Sequence, residues 1–280
     1  MSPADPGFNL SGRRAMVSLG ALSKQKYCTY SCPFCYVESG FAPYQALVLP
    51  DIIKWLAENR CHFDIVYVSG DTDSFAPPRT ELGIQLLEAI AELQVDLLFT
   101  TRMVFEEPHI VRLSQLAKRM RSENHLLFGC VSIAELHQPH LEPRPIPAPE
   151  YRTAQLRRFK DSGIVSVLAM RPFLPNISLN EYREILMTAG LASHIVLGEA
   201  WYVDPEGRLE SRVLGDGRLD IYEHHKMDFD QNQQVWKVFR GEEIERMCAN
   251  WSAEHGIPFF MRSAPAVSWA RAEFLAIQDQ

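Results

Sequence analysis

Three thiols stand at a C-x3-C-x2-C spacing in the stretch Cys28-Thr29-Tyr30-Ser31-Cys32-Pro33-Phe34-Cys35-Tyr36. No other feature constrains the fold as tightly, because ligands of one centre must converge on it whatever the rest of the chain does. The sequence holds only six cysteines, so a chance triple at one short spacing is a poor account of it. Thiolates bind iron–sulfur clusters and zinc. A closed zinc site needs a fourth ligand, and the nearest candidates, Cys61 and His62, lie beyond a predicted helix. A 4Fe-4S cluster normally takes four thiolates, so three leave one iron open to chelate a small ligand and pass it an electron. Iron–sulfur ligation, zinc ligation and plain burial all remain open on the spacing alone.

Around this loop the chain alternates two kinds of segment. An apolar run at 15–19 (AMVSL) leads into the loop as a strand. Residues 50–59 (PDIIKWLAEN) have Pro near a helix start, an acid in the first turn and helical spacing. Residues 64–68 (DIVYV) form a short β-branched and aromatic run closed by Ser69-Gly70, the mark of a buried strand. Further strands are predicted at 95–100, 126–131, 164–170 and 194–198. The helices between them fall at 80–93 with Thr80 as N-cap, 108–120, 149–161 and 179–189. Six strands alternating with five helices predict right-handed βαβ units and a parallel sheet. The pattern does not separate an open doubly wound sheet from an incomplete barrel, and no phosphate-loop or dinucleotide glycine fingerprint favours the former. Beyond the sixth strand, 201–213 reads as a hairpin around Asp204-Pro205-Glu206-Gly207. Residues 231–255 read as largely helical, 257–261 as a strand and 268–277 as a last helix.

Composition narrows the function classes. With 46% hydrophobic and 22% charged residues the chain is an ordinary globular sequence, and no apolar run approaches the roughly 18 residues of a membrane span. Residues 1–14 lack the apolar core of a signal peptide, so the thiols are expected in a reducing cytoplasm, with no membrane partner. A net charge of −7 weighs against a generic polyanion binder.

The cysteine loop, with Phe34 just before its last thiol, closely resembles that of the radical S-adenosylmethionine (SAM) enzymes. The resemblance implies a partial (β/α)6 barrel with the cluster loop after the first strand, and a C-terminal α/β extension. Residues 1–220 are then the barrel and 221–280 an extension closing it. It also implies a 4Fe-4S cluster on Cys28, Cys32 and Cys35, with SAM's amino and carboxylate groups on the open iron. Reduction through a partner such as flavodoxin or ferredoxin cleaves SAM to a 5′-deoxyadenosyl radical that abstracts a substrate hydrogen. Active residues are expected at the C-terminal ends of the strands.

Four further stretches resemble one branch, the spore photoproduct lyase-like group. They are Ser69 to Pro77, Phe99-Thr100-Thr101-Arg102, Val131-Ser132-Ile133, and the string Leu141-Glu142-Pro143, Pro149 to Arg152, Gly163-Ile164 and Arg171 to Pro175. The roles implied are SAM-carboxylate binding for Arg102 and Ser132, and amino-group or ribose binding for Thr72 and Asp73. Tyr36 is expected beside the adenine or the reaction cavity, as a cofactor-binding and catalytic residue. Arg152 belongs to the same motif and is expected among the cofactor-binding residues, although an ion pair with Glu142 bracing the loop suits it better than catalysis. The five prolines of 139–149 make that loop stiff and extended. Against these roles stand plainer ones: a solvated strand-end charge for Arg102, and turn hydrogen bonds for Ser132 and Thr72.

One departure bears on substrate. The lyases of this branch carry an extra cysteine, a hydrogen donor, in the turn after the second strand, where Gly70 stands here. A small molecule or peptide, in a biosynthetic pathway, is therefore expected ahead of a nucleic-acid lesion. His137 and His140, His224 and His225 read as surface pairs, and Tyr182, Trp201 and Tyr202 as core or rim. Cys61, Cys130 and Cys248 read as inert.

Overall fold

The apolar runs lie side by side as parallel strands because each buries both of its faces, so a helix must return over one face before the next strand begins. In the computed structural model the described residues are 8–11, 13–19, 28, 30–39, 48–70, 72–217, 219, 221–226 and 234–275. The sheet strands are β1 (Phe8–Ser11), β2 (Arg14–Val17), β3 (Ile65–Val68), β4 (Asp96–Thr101), β5 (Leu127–Ser132), β6 (Val165–Met170) and β7 (Ile195–Gly198). They are followed by β8 (Trp201–Val203), β9 (Glu223–Lys226), β10 (Val235–Phe239) and β11 (Phe259–Phe260). The large sheet runs β1-β2-β3-β4-β5-β6-β7-β11, with β2 to β7 and β11 parallel and β1 antiparallel at the edge. It is a parallel half-barrel, six strands forming the partial (β/α)6 barrel expected and β11 adding a seventh.

The helices are α1 (Leu49–Glu58), α2 (Thr80–Ala91), α3 (Glu107–Ser122), α4 (Pro149–Asp161), α5 (Leu179–Ile185), α6 (Arg208–Leu214), α7 (Glu242–His255) and α8 (Ser263–Leu275). Pro50, Pro108 and Pro149 open α1, α3 and α4 in their first turns, where a missing N–H costs no helical bond. Ser178 caps α5 by accepting from Glu181 N at 3.1 Å. Thr80 is not the cap of α2; it is the first helical residue, and its hydroxyl donates to Phe75 O at 2.8 Å.

Period-two alternation sorts the strand residues onto two faces. Val66, Leu97, Phe99, Leu127, Val131, Leu168 and Val196 face the core beneath α1 to α5. Ile65, Tyr67, Leu98, Phe128, Cys130, Val165, Val167, Ile195 and Leu197 face the inside of the curl, where Ala266, Val267 and Ala270 of α8 pack on them. Arg271 of α8 binds both carboxylate oxygens of buried Asp96, at 2.9 and 2.8 Å. Since Asp96 opens β4, this contact pins α8 at the N-terminal end of the half-barrel.

Three readings of the later chain change. The 201–213 segment is β8 followed by α6 rather than a hairpin. The Asp204 carboxylate accepts from Arg208 N and Leu209 N, so the Asp-Pro-Glu-Gly turn starts a helix. Residues 231–255 are not mainly helix: β10 precedes α7 and pairs with β8 and β9 in a separate three-stranded sheet. The 139–149 loop is turned rather than extended, with Leu141 N donating to Gln138 O and Ile146 N to Pro143 O.

Candidate functional site

On the inward face of the half-barrel, counting by twos, Tyr67 leads to Ser69, Leu98 and Thr100 to Arg102, and Cys130 to Ser132. Val167 and Ala169 lead likewise to Arg171, and Leu197 to Glu199. All five end points line one cleft at the C-terminal ends of the strands. The cluster loop forms another wall, with Cys28, Tyr30, Cys32, Phe34, Cys35 and Tyr36, and Thr72, Asp73, Trp201 and Tyr202 complete it. The cleft measures about 120 Å³. A roomier hollow of about 470 Å³ lies at α6, between Glu206, Glu210, Asp216 and Lys237, but none of the sequence candidates borders it.

The three thiols share the cleft wall. Cys35 N donates to Cys32 O at 3.0 Å, a tight turn that Pro33 between them suits. Burial pushes the Cys32 thiol up to about 12, against the pull of the Arg102 charge, and raises Cys28 as well. Trp201 Nε1–H donates to Phe34 O at 3.2 Å, tying the loop to β8, and the Arg102 guanidinium lies 5.6 Å from the centre of the Phe34 ring. Tyr36 meets Tyr202 edge-on with centroids 6.0 Å apart.

Asp73 is heavily used by its own protein. Its carboxylate accepts from Phe75 N at 3.0 Å, Thr101 Oγ1 at 3.0 Å and Arg102 N at 2.7 Å. These bonds clamp the loop after β3 to the end of β4. Burial nonetheless raises its carboxyl above the ordinary range. Thr72 Oγ1 donates to Leu19 O and Ser132 Oγ to Arg171 O, both at 3.5 Å. Bonds that long are weak, so both hydroxyls can turn toward a ligand.

Arg102 and Arg152 flank one carboxylate. Glu142 Oε1 accepts from Arg102 Nε at 2.7 Å, and Glu142 Oε2 pairs with Arg152 Nη2 at 2.6 Å. Arg152 is fully buried, donates to Ser132 O at 2.5 Å and does not border the cleft. It supports the wall from behind. His137 pairs with Glu184 at 2.8 Å on the surface, and His140, His224 and His225 are exposed.

Sequence reasoning overlooked Arg171, Tyr67 and Glu199 as cleft residues. Arg171 lay within a recognised string without a role, and the alternation of β6 and β7 was the signal that points it and Glu199 inward.

Among the described residues no three of His, Cys, Asp and Glu are gathered closely enough to hold a metal ion, the three thiols included. The thiols do share one wall of the cleft, with the Asp73 carboxylate beside Cys28. Two buried polar atoms at the cleft, the Tyr30 hydroxyl and Arg171 Nε, have no hydrogen-bond partner, as expected where a polar group belongs.

No protein-family model matches the sequence, and no curated protein matches it. Solved structures do. A double mutant of spore photoproduct lyase with bound AdoMet and dinucleoside spore photoproduct superposes with a TM-score of 0.60 at 14% identity, covering 88% of this chain and 82% of that one. Streptococcus suis SuiB bound to S-adenosylmethionine gives 0.61 at 12% identity, over 89% of this chain and 50% of SuiB. SuiB bound to the precursor peptide SuiA gives 0.51 at 14%, over 69% and 40%. At these identities the likeness is one of fold.

Proposed function

We propose that the chain is a radical SAM enzyme acting on a small molecule or peptide. One observation carries the reading: Cys28, Cys32 and Cys35 border the same cleft as Tyr36, Thr72, Arg102 and Ser132, at the C-terminal ends of a half-barrel. The cysteines would hold a 4Fe-4S cluster, which with SAM bound would supply one electron to break the sulfonium C–S bond, releasing methionine and a 5′-deoxyadenosyl radical able to take a substrate hydrogen.

The protein's own residues bind, orient and exclude water. Arg102, held by Glu142 and stacked on Phe34, sets a positive charge beside Cys32 and offers its remaining N–H edge to the SAM carboxylate. Ser132 and Thr72 add hydroxyl donors. Asp73 acts as a positioning residue, since its oxygens already hold Arg102 N and Thr101. Tyr36, Trp201 and Tyr202 supply an aromatic wall that keeps solvent from the reacting atoms. A flavodoxin or ferredoxin is the fitting reductant, and the cytoplasm the fitting compartment, for reducible thiols.

SuiB was crystallised with a precursor peptide and spore photoproduct lyase with a dinucleoside lesion, so both substrate kinds have a precedent on this fold. The acidic balance and Gly70 favour the former. DNA binding that persists at low micromolar affinity and weakens with salt would favour the lesion reading.

The test is anaerobic reconstitution with iron and sulfide, reduction with dithionite, and assay for 5′-deoxyadenosine from SAM. Product is expected from the wild type and none from Cys32→Ala. Stoichiometric zinc without a dithionite-bleached absorbance sinks the proposal.

A further inference from the structure

We infer that Arg171 is the substrate-recognition group of the cleft and that it takes a carboxylate of the substrate. This rests on the reading of the cleft as an active site. Arg171 leaves β6 one residue after Met170, on the inward face, with 12% of its side chain exposed. Its Nη1 donates to Tyr67 OH at 3.0 Å, and that oxygen shares a second hydrogen bond with Thr100 Oγ1 at 2.9 Å. Tyr67 and Thr100 thereby fix one end of the guanidinium fork. The other end is unused: Nε is buried and has no hydrogen-bond acceptor. The carboxylate facing it, Glu199, is 40% exposed and forms a loose ion pair with Nε at 3.8 Å, beyond hydrogen-bond reach.

The second arginine of the cleft is differently placed, because Arg102 already donates to Glu142 at 2.7 Å. Arg171 is therefore the fixed cation whose donor still lacks an acceptor. A buried N–H of this kind is costly to leave unmade, and a guanidinium edge matches an oxyanion. Glu199 narrows the class. A dianionic phosphate would meet its negative charge at close range, whereas a singly charged carboxylate meets less repulsion. An ammonium next to that carboxylate would find its acceptor in Glu199. Tyr36, Tyr67, Trp201 and Tyr202 line the same cleft with aromatic surface. The substrate class is a carboxylic acid with an apolar body, such as a free amino acid or a peptide C-terminus.

The SAM carboxylate has the same chemistry, so the test separates the two sources. Reconstituted protein with bound SAM is titrated calorimetrically with phenylacetate, its neutral amide phenylacetamide, and phenyl phosphate. Phenylacetate is expected to bind about ten-fold tighter than the amide, as one charge-assisted pair provides, and tighter than phenyl phosphate. Arg171→Gln should erase the acid-over-amide preference and Arg171→Lys keep part of it, with SAM affinity by equilibrium dialysis unchanged in both. Equal binding of acid and amide to the wild type, or a preference that survives Arg171→Gln, overturns the inference. Loss of SAM binding in Arg171→Gln overturns it too, since the carboxylate is then the cofactor's. Should that variant not fold, Glu199→Gln serves: it should narrow the gap between phenylacetate and phenyl phosphate, and an unchanged gap counts against the assignment. Repeating the acid and amide titrations on protein without cluster or SAM reads Arg171 alone, so a failure of the radical SAM reading shows separately as wild type that takes up no iron and no SAM.

Discussion

Glu142 accepts the Nε–H of Arg102 at 2.7 Å, joining two residues 40 positions apart. Through the other oxygen of Glu142 the contact extends to Arg152, and from Arg152 to the carbonyl of Ser132. One buried carboxylate thus ties the ends of β4 and β5 to α4 and to the loop before it. Two cations on one anion leave a surplus of positive charge behind the cluster loop, beside Cys32.

Glu142→Gln removes the charge that both arginines depend on. Breaking a buried pair by deleting one partner costs about 3–5 kcal/mol, and urea unfolding should show a lower midpoint with an unchanged slope. Burial alone would raise the Glu142 carboxyl, but Arg152 and Arg102 outweigh it and hold it below the ordinary 4.5. A depressed folded value stabilises the protein fully above 4.5, and the contribution is lost as pH falls through the lower folded value. The gap between wild type and variant should stay flat at neutral pH and close only in acid.

Asp73 carries the opposite sign. Burial raises its carboxyl above the ordinary 3.8, despite the bonds from Arg102 N, Phe75 N and Thr101. Its contribution is present below 3.8 and is lost as pH rises through the raised folded value, where the buried charge forms. Asp73→Asn keeps one acceptor oxygen and turns an NH₂ against a backbone donor, a loss of about 1–3 kcal/mol. That deficit should be largest in mild acid and shrink toward alkaline pH, measured as the difference in urea midpoints. A pH-independent deficit would contradict the assignment of burial as the ruling cause.

Trp201→Phe deletes the donor to Phe34 O while leaving the aromatic bulk. A single neutral hydrogen bond is worth about 1 kcal/mol, so the thermal midpoint should move little. The loop carrying Cys32 and Cys35 loses its tie to β8, so reconstituted protein should release iron to a chelator several-fold faster than wild type. Equal release rates would show that the loop is held by other contacts.

The parallel sheet was legible because six apolar runs such as Ile65–Val68 and Val165–Met170 are buried on both faces, and only a parallel sheet with returning helices satisfies such runs, whereas its curl into a half-barrel was implied by the resemblance of the cysteine loop alone. The three-stranded sheet was not legible. β10 reads Val235-Trp236-Lys237-Val238-Phe239, which a short window does not separate from the first turns of a helix, and its partner β8 lies more than thirty residues earlier. The cluster loop announces itself by spacing, since its ligands are close in sequence. Arg171 does not, because what makes it a cleft residue is its reach to Tyr67, 104 positions away. Local pattern gives the direction of a side chain, and long-range contact decides whether its charge is spent.

Helix α8 offers a test at the opposite end of the molecule from the cleft. Arg271 reaches both oxygens of Asp96, and Asp96 also accepts from Leu126 N at 2.9 Å. Asp96 is buried while Arg271 is 38% exposed, so solvent screens part of the attraction and the pair is worth less than an enclosed one. Arg271→Met keeps an unbranched apolar stem, deletes the cation, and leaves Asp96 with its backbone donor. The expected cost is about 1–2 kcal/mol. Asp96→Asn combined with Arg271→Met should cost less than the sum of the single changes, because the second removes a charge the first has already stranded. Amide exchange should quicken across 263–275, while SAM affinity stays at the wild-type value because α8 packs on the N-terminal half of the inward face. Full additivity, with exchange in α8 unchanged, would mean that Ala266, Val267 and Ala270 hold the helix by apolar contact alone.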